Sequence, residues 1–130
     1  MLREYDFTII TKGDLPEADN AKVIQGYEAL MTKDGGEILK RDEWGVKRLA
    51  FPIKKTFRGF YVNYDFVGTP ENVAEMERLI RIDDNVLRHL VIRLDESKEG
   101  TVDVEARKNE LAKQEREARE REAQQRQRKE

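Results

Sequence analysis

Tyr5, Phe7 and Ile9 alternate with Glu4, Asp6 and Thr8, and alternation at period two predicts a half-buried strand. Gly13 and Pro16 break the pattern. Asp14-Leu15-Pro16-Glu17 has the acceptor and the glutamate of a capping box, and Val23, Ile24, Tyr27, Leu30 and Met31 follow at helical spacing. This first helix is expected to end at Asp34-Gly35-Gly36, where glycine takes the left-handed conformation of a helix stop. A second strand runs from Ile38 toward Pro52, which has no amide to donate and belongs at a strand end or edge. Leu49, Phe51 and Ile53 recur at every second position there, and Gly45 marks a bulge or bend. Gly59 to Val67 is the third strand, with Phe60, Val62, Tyr64 and Phe66 on one face. Thr69-Pro70-Glu71 starts a second helix, with an N-cap hydroxyl, a proline in the first turn and an acid near the positive dipole end. Val73, Met76, Leu79 and Ile80 form its apolar stripe. Asp83-Asp84-Asn85 then turns the chain into a fourth strand, Val86 to Leu94. Leu90 and Ile92 favour one facing of that strand, Leu87 and Val91 the other.

The order strand-helix-strand-strand-helix-strand is the split βαβ repeat. It predicts an α+β, ferredoxin-like domain: a four-stranded antiparallel sheet with both helices on one face. Right-handed crossovers put strands one and three in the centre and strands two and four at the edges. The expected core is Ile24, Tyr27, Leu49, Ile53, Val62, Tyr64, Val73, Met76 and Leu79. The domain is expected to occupy residues 1–98. Residues 99–130 form a charged, low-complexity tail in which Val102, Val104 and Leu111 are too few for a stripe. Glu115 with Arg119, Glu117 with Arg121 and Glu122 with Arg126 have the favourable i,i+4 order. A solvated helix or a disordered segment is expected there.

Composition narrows the chemistry. The 130-residue chain carries 25 Lys and Arg against 27 Asp and Glu, a formal charge of -2. No global field attracts a polyanion, so nucleic-acid binding must use a local patch. The chain has no cysteine, which removes disulfides, thiolate catalysis and cysteine–zinc sites together. Met1 to Asp6 pass straight into a polar strand without an apolar leader, and no segment approaches the roughly 20 apolar residues of a membrane span. A cytoplasmic protein is expected. His89 is the only histidine and Ser97 the only serine, and neither has the partners of a catalytic triad or a metal pair. No glycine-rich phosphate loop precedes a helix. Ile10-Thr11-Lys12-Gly13-Asp14 lacks the anion loop with arginine that an acyl-phosphate hydrolase of this topology would need. No enzyme, cofactor, metal or small-molecule substrate is expected.

Positive charge gathers instead on the hairpin of strands two and three. Lys47, Arg48, Lys54, Lys55 and Arg58 cluster on its arms and tip, and only Asp42 and Glu43 are acidic between Lys40 and Arg58. Such charges can keep an edge strand soluble. They can also contact phosphate, with Tyr61 or Phe57 near enough to pack on sugar or base. Arg48, Lys54, Lys55 and Arg58 are the expected phosphate contacts, joined by Arg88 from strand four. Arg58 to Tyr64 partly resembles the strand-three octapeptide of RNA-recognition-motif domains. The spacing fails, because Tyr61 stands where a small residue belongs and Val62 where the second stacking aromatic belongs.

Gly45-Val46-Lys47-Arg48-Leu49-Ala50-Phe51-Pro52-Ile53-Lys54 resembles the signature of the bacterial small-subunit ribosomal protein six family. That signature reads Gly-any-basic-polar-Leu-Ala-Tyr-any-Ile-basic, and Phe51 replaces its tyrosine. Arg3-Glu4-Tyr5 and Asp84-Asn85-Val86-Leu87-Arg88 are similar to the family as well, so the likeness covers about residues 1–96. The resemblance implies a structural protein of the small ribosomal subunit. It implies binding to the central domain of the 16S rRNA together with ribosomal protein eighteen, without catalysis or cofactor. The other reading of the residues is a small adaptor that pairs with a partner strand through a sheet edge, without RNA.

Overall fold

β1 (Arg3–Lys12) pairs antiparallel with β3 (Thr56–Gly68) on one side and with β4 (Val86–Arg93) on the other. β3 pairs in turn with β2 (Glu37–Ile53), giving the order β2-β3-β1-β4. The computed structural model describes residues 1–94 and 101–129. The expected domain boundary at 98/99, and Ser97, lie outside the described residues.

The core forms where the helix-facing side of the two central strands meets α1 (Glu17–Met31) and α2 (Pro70–Arg81). Register sets Tyr5 opposite Phe66, Phe7 opposite Tyr64 and Ile9 opposite Val62. The Tyr5 and Phe66 rings stack at 5.4 Å, and Phe7 meets Phe66 edge-on at 6.4 Å. Such aromatic pairs add to the burial of their area. Ile24, Tyr27 and Met31 close the layer from α1, and Val73, Met76 and Ile80 from α2. The buried tyrosines find acceptors. The Tyr64 hydroxyl donates to Glu28 Oε1 at 2.6 Å and the Tyr27 hydroxyl to Asp83 Oδ2 at 2.6 Å. Burial and then the adjacent carboxylate hold both phenols above their ordinary range.

α1 does not use the expected capping box. Pro16 is the N-cap, with φ -54° and an extended ψ of 144°, and no side chain caps the helix. Asp14 is thus two residues outside it. Buried Asn20 ties the helix to β1 instead: it accepts from the Thr11 hydroxyl at 2.7 Å and donates to the Lys12 carbonyl at 3.1 Å. The helix stops ahead of the expected Asp34-Gly35-Gly36, with Thr32 as its C-cap. α1 ends at Met31, and a 3₁₀ turn over Lys33–Gly35 follows, with Asp34 at φ 55° and Gly35 at φ 83°. Thr69 caps α2 as expected, its hydroxyl accepting from the Asn72 amide at 3.1 Å.

Facing departs from expectation where the strands bulge. The register of β4 shifts opposite Ile10 and Thr11. Val86 therefore reaches the core while Leu90 and Ile92 point to the open face, 58% and 45% exposed. Val91 packs on the core side. β2 has shifts beside Gly45 and between Arg48 and Ile53. Leu49 is buried but lies on the open face, sharing a small hollow with Ile10 and Tyr61. Ile53 is half-buried there and Phe51 is exposed. Leu79 is half-buried beside the core rather than within it.

α3 (Val104–Lys129) starts against the sheet. The Val102 amide donates to the Leu2 carbonyl at 3.0 Å, and Arg107 Nε donates to Glu4 Oε1 at 2.6 Å. Lys108 pairs with Glu37. Val104, Arg107, Lys108 and Leu111 are partly buried. These positions have the i, i+3, i+4, i+7 spacing of a docking stripe, and two of them are cations.

The hairpin closes through Lys54 and Lys55 alone, at φ 50° and 63°. Two residues at positive φ make a type I′ turn, which matches strand twist but favours Asn-Gly. Two lysines there store strain.

Met76→Ala is expected to cost roughly 2–5 kcal/mol in urea unfolding, and Leu79→Ala distinctly less because Leu79 is only half-buried. Equal losses would contradict the facing of α2. Lys55→Gly is expected to raise stability by about 1 kcal/mol by relieving the left-handed lysine. A lower midpoint in the same titration would show that the turn is unstrained.

Candidate nucleic-acid interface

The β2–β3 hairpin outruns the rest of the sheet. β1 ends at Lys12 opposite Gly59, and β3 continues back to Thr56. The free end carries Arg48, Lys54, Lys55 and Arg58, all exposed. Arg48 and Arg58 are register partners. Arg58 lies against Gly13, whose amide donates to its carbonyl at 2.9 Å, and its parity with core-facing Val62 and Tyr64 places this arginine pair on the helix side of the hairpin. Lys54 and Lys55 form the tip. Lys54 Nζ donates to the Val86 carbonyl at 3.0 Å, tying the tip to the start of β4.

Arg88 joins the same end of the molecule from the opposite edge strand. Its guanidinium stands 5.2 Å from the centre of the Phe51 ring, within cation–π range. Arg88, Phe51, Leu49, Ile53, Ile10 and Tyr61 line one shallow hollow on the open face. The five expected residues thus form two groups. Arg48 and Arg58 face the helix side and Arg88 the open side, with Lys54 and Lys55 at the tip between them. Among the described residues none of the five forms an ion pair with a carboxylate. Like charges set directly opposite across strands repel, so leaving Arg48 and Arg58 unneutralised costs stability unless an anion arrives.

Sequence reasoning missed Trp44, and left Lys47 out of the contact set. The Trp44 and Tyr61 rings stack at 6.3 Å on the open face, and Lys47 Nζ lies 5.3 Å from Trp44 and 5.9 Å from Tyr61. Strict alternation puts residues 44 and 47 on opposite faces. The bulge beside Gly45, whose φ is 82°, brings them to the same one. A glycine inside a strand was the available signal. Phe57, the other aromatic expected near phosphate, is 61% exposed close to the tip. Tyr64 and Phe66 are core residues and present no ring to a ligand.

The cleft between α1 and β2 has a volume of about 330 Å³ and is lined by Leu15, Ile24, Val46 and Phe60 with Arg41 and Glu43 at its rim. Arg41 Nε is already bound to Glu28 at 2.9 Å. Among the described residues no three metal-binding side chains gather. His89 is half-buried in β4 opposite Ile9.

Residues 4–93 match the model of the Ribosomal protein S6 family. The small ribosomal subunit protein bS6 of Desulfatibacillum aliphaticivorans is 39% identical over 86% of this chain, which spans 58% of that relative's length. The bS6 of Caldanaerobacter subterraneus subsp. tengcongensis is 40% identical over 73% of this chain and 100% of its own. A crystal structure of 30S ribosomal protein S6 from Thermotoga maritima superposes with a TM-score of 0.66 over 92% of this chain and 99% of that one, at 22% identity. The same four-stranded sheet and paired helices recur in it. With the family model spanning all four strands, and a relative matched from end to end, this chain belongs to the ribosomal protein S6 family.

Proposed function

We propose that the hairpin end binds phosphates in the central domain of the 16S rRNA, and that it does so beside ribosomal protein eighteen. The family is structural and non-enzymatic, and its members are cytoplasmic proteins of the small ribosomal subunit. What carries the finer reading is the set of exposed cations without carboxylate partners, Arg48, Lys54, Lys55, Arg58 and Arg88, concentrated at one end of a chain whose charge is -2. Phosphate contact would release counterions and relieve the opposition of Arg48 and Arg58. Trp44, Tyr61 and Phe51 offer ring faces beside those cations.

A protein partner is favoured by the open sheet face. Leu90, Ile92, Phe51 and Trp44 are between 44% and 58% exposed there, next to the cationic end. An apolar surface of that kind suits a protein better than water. A basic partner seated on it would continue the positive surface, and each protein would lower the ordering cost of the other. The strand-pairing adaptor is less favoured, because bulges and Pro52 interrupt the β2 edge and a register shift interrupts the start of the β4 edge.

Filter binding to a central-domain rRNA fragment across a salt series tests the phosphate contacts. Replacing Arg48, Lys54, Lys55 and Arg58 with Ala is expected to flatten the log–log slope by about 0.7–0.9 per lost contact. An unchanged slope would leave these residues as solubilising charges. Calorimetry with each protein alone and with the mixture tests the partnership. Weak binding by either one and much tighter, reciprocal binding by the pair is the expected result. Equal affinity of this chain with and without ribosomal protein eighteen would make the hairpin a self-sufficient site.

A further inference from the structure

The first turns of α3 close over the end of the open sheet face, where two carboxyls sit together. Glu4 is 3% exposed. It lies two residues from Asp6, whose register partner is Asp65, and Glu4 and Asp65 are within hydrogen-bonding reach of each other. Arg107 reaches Glu4 Oε1 at 2.6 Å from a position 103 residues along the chain. Yet Glu4 Oε2 and Asp65 Oδ1 are buried with no donor among the described residues. Two neighbouring buried acceptors without a donor are costly. One proton held between them satisfies both.

We propose that α3 is a proton-sensitive latch: Arg107 clamps the helix onto the Glu4–Asp65 pair, and departure of the proton that the pair shares loosens the clamp. With the proton present, one negative charge faces one guanidinium. Without it, a second, half-buried carboxylate has its inner oxygen unpaired. The surrounding charges do not repair this. Asp6 adds negative charge and is held by Asn63 at 2.8 Å. Glu110 competes for Arg107, binding Nη1 at 3.0 Å. Lys40 is the β2 register partner of Asp65 but gives its buried oxygen no bond. Lys108 is engaged with Glu37.

Burial, followed by the hydrogen bond and charge of Glu4, pushes Asp65 up to about 7, with Arg107 opposing. Opening α3 returns this carboxyl to water, where its value falls toward about 4. The closed form therefore holds the proton more tightly. Closure is fully supported below about pH 4, loosens by up to about tenfold per pH unit as pH rises, and is weakest above about pH 7.

Amide hydrogen exchange on the full chain, corrected for intrinsic rates, reads the opening directly. Protection of the amides from Arg107 to Leu111 is expected to fall at least about tenfold between about pH 5 and pH 7, while Phe7 and Val62 keep theirs. Asp65→Asn supplies a permanent amide donor and should keep α3 protected at both values. Arg107→Gln should lose that protection at both. Protection that is flat with pH in the native chain, falls equally in Asp65→Asn, or survives Arg107→Gln overturns the latch.

Discussion

A four-stranded sheet has two faces, and α1 and α2 cover only one of them. The constraint is visible in what occupies the other. Asn63 donates to both Asp6 and Thr8 at 2.8 Å, which keeps the centre of the open face polar and satisfied. Leu49 folds onto it at the hairpin end. α3 meets it at the end where β1 begins. Between these lie the exposed leucine and isoleucine of β4 and the Trp44–Tyr61 stack. The covered face holds the fold together, and the uncovered face leaves large apolar and aromatic side chains exposed.

How much of this was legible in the sequence follows from where the period is unbroken. β1 and β3 pair over ten residues without a shift. Tyr5, Phe7, Ile9, Val62, Tyr64 and Phe66 therefore sit where alternation places them, and element order with right-handed crossover gives the topology. The signature around Gly45 to Lys54 gave the family, and the family model agrees. Parity fails in β2 and β4 because one extra residue in a bulge exchanges the two faces. Sequence locates the glycine but not which neighbour it turns. The docking stripe of α3 was hidden for another reason. Arg107 and Lys108 occupy positions that a hydrophobicity pattern counts as solvent, and their partners, Glu4 and Glu37, are remote in the chain.

The cationic residues were found individually by composition, but their arrangement needed the fold. Arg88 and Lys54 belong to opposite edges of the sheet by strand order. They come together because the hairpin extends past β1 and reaches the start of β4, where the Lys54–Val86 bond fixes the tip. An end built in this way presents cationic groups on both sides of a thin projection. Its strained turn and opposed arginines are local conflicts in an otherwise consistent sequence, and such conflicts gather where function competes with stability.

The stretch between the Arg48–Arg58 and Ile53–Thr56 pairs is unmatched on one side: Leu49 to Pro52 bow out opposite a single residue, Phe57. A ladder that has lost its one-to-one count no longer transmits register. A residue gained or lost within the bow would change its depth and leave every pair from Arg48 back to Glu37 untouched, whereas the same change between Tyr61 and Phe66 would turn the core inside out. The bow therefore takes up length locally, so the depth of the projection and the register of the sheet beneath it are set independently.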